Sequence, residues 1–231
     1  MLDQLKAAVL AANLRLPSAG LVRLTWGNVS GRDNYSGLVV IKPSGVPYEQ
    51  MGADDMVVVD GEGRLVEGKH RPSTDTPTHL ALYRGIEGIA GIVHTHSTWA
   101  TAWAQAHRPV PVLGTTHADL CPGPVMVTRP LTREEVEGEY EKATGTVILE
   151  LTDGRSTDEV PAVLVDGHGP FCWGKSPAHA VEIAETVEEV AKMAWLSVAL
   201  APDAPPIAAH VVARHFSRKH GPNAYYGQGP P

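Results

Sequence analysis

A chain of 231 residues, 43% hydrophobic and 19% charged, is long enough to bury a sizeable core, as one globular domain over 1–231 or at most two small ones. Its formal net charge of −7 argues against nucleic acid as the main partner, because backbone phosphates need a basic face. The apolar runs are too short to span a bilayer, the start Met1-Leu2-Asp3-Gln4-Leu5-Lys6 does not read as a secretory signal, and two cysteines, Cys121 and Cys172, cannot form a disulfide framework; together these features predict a cytoplasmic protein.

In chain order, Leu2, Leu5, Val9 and Ala12 recur at helical spacing and predict a helix over 2–15 that stops before Pro17. The small, polar run Thr25-Trp26-Gly27-Asn28-Val29-Ser30-Gly31 follows. A strand at 38–41 runs into Lys42-Pro43-Ser44-Gly45, and strands at 56–59 and 64–66 flank a turn at Asp60-Gly61-Glu62-Gly63 as a hairpin. Pro77–Arg84 reads as a helix with Thr76 as N-cap and Pro77 in its first position. Next comes Gly91-Ile92-Val93-His94-Thr95-His96, a strand, and then a helix from Ser97 to Gln105. Val125–Val127 and Val147–Glu150 read as strands around a short helix at 132–140, which the capping box Thr132-Arg133-Glu134-Glu135 opens. A strand at 161–165 ends at Asp166-Gly167-His168-Gly169; a long helix covers 176–200, and a short one near 207–219 leads to a polar, aromatic tail. Short strands, hairpin turns and interspersed helices imply an α/β sandwich with a largely antiparallel or mixed sheet. Strict βαβ alternation is missing, which counts against a Rossmann fold or a TIM barrel.

Side chains two apart on a strand share a face, so His94 and His96 present two imidazoles on one rigid element. Such a pair alone also closes ordinary strands; it gains meaning from further ligands. His168 ends another apolar strand between two glycines, and Asp75 in Ser73-Thr74-Asp75-Thr76-Pro77 stands just ahead of a helix, where it could equally serve as a cap. Three neutral imidazoles and a carboxylate suit a divalent transition metal, zinc or manganese before magnesium or calcium. Gly27-Asn28, Ser44-Gly45 after Lys42, and Ser73-Thr74 supply amides and hydroxyls of the kind that cradle phosphate, yet none matches a nucleotide-binding fingerprint. Thr115-Thr116-His117-Ala118-Asp119 is a further polar cluster, readable as a loop.

The segments Leu24–Ser30, Ile41–Val46, Ala53–Val59, Ser73–His79, Gly91–Ser97, Gly114–Asp119, His168–Phe171, Arg218–Gly221 and Ala224–Gln228 closely resemble, in order, the sugar-phosphate epimerases of the class II aldolase/adducin superfamily. The resemblance implies a three-layer α/β/α sandwich with a mainly antiparallel central sheet, and a homotetramer whose active sites lie between neighbouring subunits. Residue by residue, it implies His94, His96 and His168 as metal ligands with Asp75 in or beside the shell, around zinc or manganese. It places Gly27, Asn28, Lys42, Ser44, Gly45, Ser73, Thr74, Thr115 and His215 about the substrate, and makes Asp119 and Tyr226 an acid/base pair reaching in from the neighbouring subunit. The implied reaction interconverts L-ribulose 5-phosphate and D-xylulose 5-phosphate by retro-aldol cleavage and re-addition. The alternatives are an L-fuculose-1-phosphate aldolase-like lyase and an adducin-like binding module. Thr74 replaces the usual Ser, Leu120 replaces a usual aromatic, and Gly229-Pro230-Pro231 extends past the usual end.

Overall fold

The computed structural model describes residues 2–222 and 224–226, so the extension at 229–231 lies outside the described residues. Short strands, several of them rich in Val and Ile, build the sheet with glycine- or aromatic-bearing neighbours: β1 (Asn28–Arg32), β2 (Val39–Ile41), β3 (Val57–Val59), β4 (Leu65–Glu67), β5 (Gly91–His94), β6 (Ala162–Val165) and β7 (Gly169–Gly174). They join in the order β4-β3-β2-β1-β5-β7-β6, and every pairing of neighbours is antiparallel. Strand alternation sends Val40, Val58, Val93 and Leu164 to one face and Ile41, Val57, Ile92 and Phe171 to the other, and both faces are buried.

Helices α1 (Leu2–Ser18), α3 (Thr98–Gln105) and α7 (Pro177–Leu200) cover the first face through Leu16, Trp103 and Val187. The second is covered by α2 (Thr76–Gly85) and α6 (Tyr140–Thr152) through Leu82, Tyr83 and Ile148. This is the expected three-layer α/β/α sandwich. Two short helices, α4 (Thr115–Leu120) and α5 (Arg133–Glu137), and α8 (Ala209–His220) complete the chain, with α4 packed between α7 and α8. Among the described residues no helix is long and apolar enough to cross a membrane.

A row of glycines crosses the middle of the sheet, with Gly31 opposite Gly91 and Gly91 opposite Gly174. A Cβ on Gly91 would lie 2.3 Å from the Ser176 carbonyl, and one on Gly31 would lie 2.9 Å from the Pro177 ring. The missing side chains are what let the start of α7 press onto the strands at the start of β5.

The structure corrects several boundaries. Helix α1 passes through Pro17 to Ser18, because a proline in the last turn costs one backbone bond while Leu16 still buries completely. Val147–Glu150 belongs to α6: Thr144, Val147 and Ile148 bury at helical spacing, and Gly145 lies so close to Ala81 of α2 that a Cβ would be 2.6 Å away. Val125 and Val127 form only isolated bridges, to Val110 and Leu164. Asp75, not Thr76, holds the N-cap position of α2, and the Thr76 hydroxyl donates to the Ser73 carbonyl at 2.5 Å. The capping box at Thr132 is present as expected.

Candidate metal centre and anion cleft

The apolar run of β5 ends in His94, whose register places it between Asn28 of β1 and Phe171 of β7. His94 is 1% exposed and stacks on Phe171 at 4.1 Å. Its Nδ1 lies 3.0 Å from the Pro170 carbonyl, so that nitrogen carries the proton and Nε2 presents a lone pair. His96 lies two residues past the strand end, and its Nε2 is 3.1 Å from that of His94. From the β6–β7 turn, where Gly167 takes a φ of 65°, His168 brings its Nε2 to 3.1 Å from that of His96.

Burial holds the His94 imidazole down to about 3 and lowers His96 and His168 as well, so all three are neutral near pH 7. Three ring nitrogens meeting in one place cannot all satisfy each other with the protons that neutral imidazoles carry. A cation accepting their lone pairs resolves the conflict, and the carbonyl behind His94 is the orienting partner that such ligands use. The donor set therefore fits a divalent metal.

Asp75 sits at the N-cap of α2 without capping it, because its Oδ2 accepts from the Asn28 amide at 2.6 Å. The same amide donates to Ser73 Oγ at 3.0 Å, which ties the two polar runs together. Burial alone pushes the Asp75 carboxyl up, but the surrounding imidazoles and the Asn28 amide outweigh it and keep the group ionised. Asp75 lines the same cleft as the histidines and stands beside the converging set. Under it, Ser30 Oγ bridges His79 Nδ1 at 2.7 Å and the Tyr83 hydroxyl at 2.9 Å.

The cleft has a volume of about 410 Å³, and Gly27, Asn28, Lys42, Ser44, Gly45, Ser73 and Thr74 all line it together with the three histidines. Lys42 is 2% exposed, and burial pushes its ammonium down to about 8. Its Nζ donates to the carbonyls of Pro43 (3.2 Å), Val46 (3.1 Å) and, at the long limit, Thr25 (3.5 Å). The lysine thus supplies positive charge behind the rim, with its N–H groups already used by the loops.

Asp119, Thr115, His215 and Tyr226 are not at this cleft. Asp119 on α4 is held from α8: Arg218 grips both carboxylate oxygens at 3.0 and 2.6 Å, and His215 Nδ1 lies 3.1 Å away. Tyr226, 59% exposed, places its ring 4.9 Å from the Arg218 guanidinium. Thr115 is exposed at the start of α4. Among the described residues the chain therefore carries two polar centres, one with three imidazoles and a hydroxyl-lined rim, the other with a clamped carboxylate, a histidine and a phenol. Burial raises the Asp119 carboxyl, but the Arg218 and His215 hydrogen bonds outweigh it and bring it below the usual range.

The sequence reading missed Trp26, Tyr140 and Glu141 at the cleft and Arg218 and His220 at the second centre. Tyr140 and Glu141 open α6, and reading 147–150 as a strand hid the helix that aims them. The signal for Arg218 was the basic last turn of α8, Arg218-Lys219-His220.

Residues 7–195 match the family described as Class II Aldolase and Adducin N-terminal domain. The chain is 55% identical over 227 residues to proteins named L-ribulose-5-phosphate 4-epimerase UlaF from Salmonella paratyphi A and Salmonella typhi, a match spanning 98% of this chain and 100% of each relative. Among solved structures, an L-fuculose 1-phosphate aldolase superposes with a TM-score of 0.79 at 26% identity, over 93% of this chain and 95% of that one.

Proposed function

This chain belongs to the class II aldolase and adducin N-terminal domain family, and from that premise we propose that it is an L-ribulose-5-phosphate 4-epimerase, interconverting L-ribulose 5-phosphate and D-xylulose 5-phosphate. The observation that carries the reading is the shared cleft: three neutral imidazoles and a hydroxyl-lined, lysine-backed rim open into one space sized for a small phosphorylated sugar.

The hydrogen on carbon 4 is not acidic, since the carbonyl is two carbons away, so inversion needs the bond between carbons 3 and 4 to break. Removing the proton from the carbon 4 hydroxyl starts this retro-aldol step. The bond's electron pair moves toward the ketone, leaving glycolaldehyde phosphate and the enediolate of dihydroxyacetone. Turning the aldehyde over and re-forming the bond inverts the centre. Asn28, Ser44, Gly45, Ser73 and Thr74 hold the phosphate so that the fragment can turn without leaving, with Lys42 as charge behind them. Asp119 and Tyr226, arriving from a neighbouring subunit with His215 and Thr115, take the hydroxyl proton on one face and return it on the other. His94, His96 and His168 hold a divalent cation, zinc before manganese, with Asp75 at its side; when bound it supplies Lewis-acid stabilisation of the negative charge developed on cleavage. The assembly is a homotetramer, and its working place is the cytoplasm, where the buried Cys121 and Cys172 stay reduced.

A coupled assay tests this. Purified protein given L-ribulose 5-phosphate forms D-xylulose 5-phosphate, loses the activity to a chelator and regains it with added zinc or manganese. The likeness to L-fuculose 1-phosphate aldolase favours the second reading, a lyase of the same fold. Net accumulation of glycolaldehyde phosphate in the same assay would decide for it.

A further inference from the structure

Tyr48 follows the Ser44-Gly45 turn on a short 3₁₀ segment, Tyr48–Gln50, and is 4% exposed. A buried phenol must find an acceptor. This one has two, the carbonyls of Trp26 at 2.8 Å and Gly27 at 2.9 Å, which share its single proton. Burial raises the phenol's pKa, so it remains a donor throughout the neutral range. The face of the ring lies 4.9 Å from Lys42 Nζ, close enough for a cation–π contact that offsets part of the cost of burying the ammonium.

Lys42 in turn holds the carbonyls of Pro43, Val46 and Thr25. Tyrosine and lysine thus form a two-residue post to which both rims of the cleft are tied, residues 25–27 on one side and 43–46 on the other. The first rim has little freedom on its far side. Gly27 has a φ of 76°, and a Cβ there would be 2.8 Å from the His94 carbonyl, so the loop is trapped between Tyr48 and the end of β5. Asn28, next in the chain, joins Asp75 to Ser73. A small movement at Gly27 therefore reaches every polar group on that rim.

We propose that Tyr48 is a positioning residue for the anion cleft, fixing the separation of the two loops through its hydroxyl and its ring without touching the ligand. The proposal rests on the reading of this cleft as the phosphate site. Its distinguishing effect is on binding of the anionic end, because the imidazole cluster is held independently by β5 and the β6–β7 turn.

The test uses the metal-loaded enzyme and inorganic phosphate as a competitive probe, with Tyr48→Phe removing the hydroxyl alone and Tyr48→Leu removing the ring as well. The expected result for Tyr48→Phe is a rise of about tenfold in both the phosphate inhibition constant and the KM for L-ribulose 5-phosphate, the size of one lost buried hydrogen bond, with kcat within about twofold and metal content unchanged. Tyr48→Leu moves both constants further. Unchanged constants in folded Tyr48→Phe, or a fall in kcat with both constants unmoved, overturn the proposal. Should Tyr48→Leu fail to fold, the isosteric Tyr48→Phe decides alone. Wild-type enzyme that inorganic phosphate does not inhibit overturns the phosphate reading of the cleft itself, and this inference with it.

Discussion

Both carboxylate oxygens of Asp119 are engaged within its own chain, Oδ1 by Arg218 Nε and His215 and Oδ2 by Arg218 Nη2. A carboxylate so clamped stays ionised to low pH and keeps one orientation, which aims it as a proton acceptor while lowering its basicity. Arg218 also supports the phenol: its backbone carbonyl accepts from the Tyr226 N–H at 3.1 Å and its side chain meets the Tyr226 ring. His220 Nε2, 2.9 Å from the Asp119 carbonyl, and Lys219, 5.6 Å from the Tyr226 ring, complete the surroundings. Lysine at position 218 keeps the charge but loses the fork. The clamp depresses the Asp119 pKa, so weakening it raises that pKa, and under the proposed role as base the ionised form is the active one. Arg218→Lys should therefore move the acid limb of the kcat/KM profile upward and lower the plateau about tenfold. The full pH–rate profile checks it, and an acid limb in its wild-type place removes Arg218 from this role.

The helix that follows His96 is held by an acid from a neighbouring helix of the same layer. The first turn of α3 leaves backbone N–H groups unpaired, and Ser97 in the N-cap position makes no side-chain bond to them. Glu188 of α7 supplies both acceptors, taking the Trp99 and Ala100 N–H groups at 2.9 Å each. This cap sets where α3 begins, and so where the short link carrying His96 is directed. Glu188→Ala should destabilise the metal-free protein by about 1–2 kcal/mol, as loss of a helix cap does. It should also weaken metal binding about tenfold in chelator competition, an effect of the size that orienting partners of ligands have. A loss of stability with unchanged metal affinity would leave Glu188 purely structural. Such ties between residues distant in sequence mark the limit of what the chain alone discloses. His94, His96 and His168 were legible because each ends or closely follows a short apolar strand, as Ser44-Gly45 does, while Gly27-Asn28 and Ser73-Thr74 stood out by their small, polar residues. The strand β1 was not, since Asn28-Val29-Ser30-Gly31-Arg32 has one apolar residue and is a strand only because its neighbours bury it. Likewise β7, Gly169–Gly174, is a strand rich in glycine and aromatics that pairs on both sides. The run Val147–Glu150 carries strand-like composition, and its helical state comes from packing on α2.

At the scale of the molecule, the two polar centres pose a geometric question. The imidazoles and the hydroxyl-lined rim share a cleft that neither Asp119 nor Tyr226 lines, while those two are held together by α4 and α8. Large apolar side chains stand exposed near both: Trp26 at 52% beside the cleft, and Met193 at 43% and Leu196 at 43% along the α7 flank that faces the start of α4. Under the proposed shared site, a head-to-tail contact between copies would cover such surfaces and bring one chain's Asp119 to the next chain's imidazoles, closing into a ring when the rotation is a simple fraction of a turn. Mixed assemblies distinguish this from a site contained in one chain. Asp119→Asn removes the base but leaves the imidazoles, whereas His96→Asn removes an imidazole but leaves the base; each alone should be nearly inactive. In a ring assembled at random from equal amounts, a complete site forms where a chain with intact histidines is followed by one with intact Asp119. Half of the chains qualify for each place, so roughly a quarter of the wild-type specific activity should return under head-to-tail sharing. If each chain used only its own residues, every site in the mixture would lack one group, and verified mixed rings would remain inactive. Since neither variant adds a new contact, recovered activity can arise only from joining His96 of one copy to Asp119 of another.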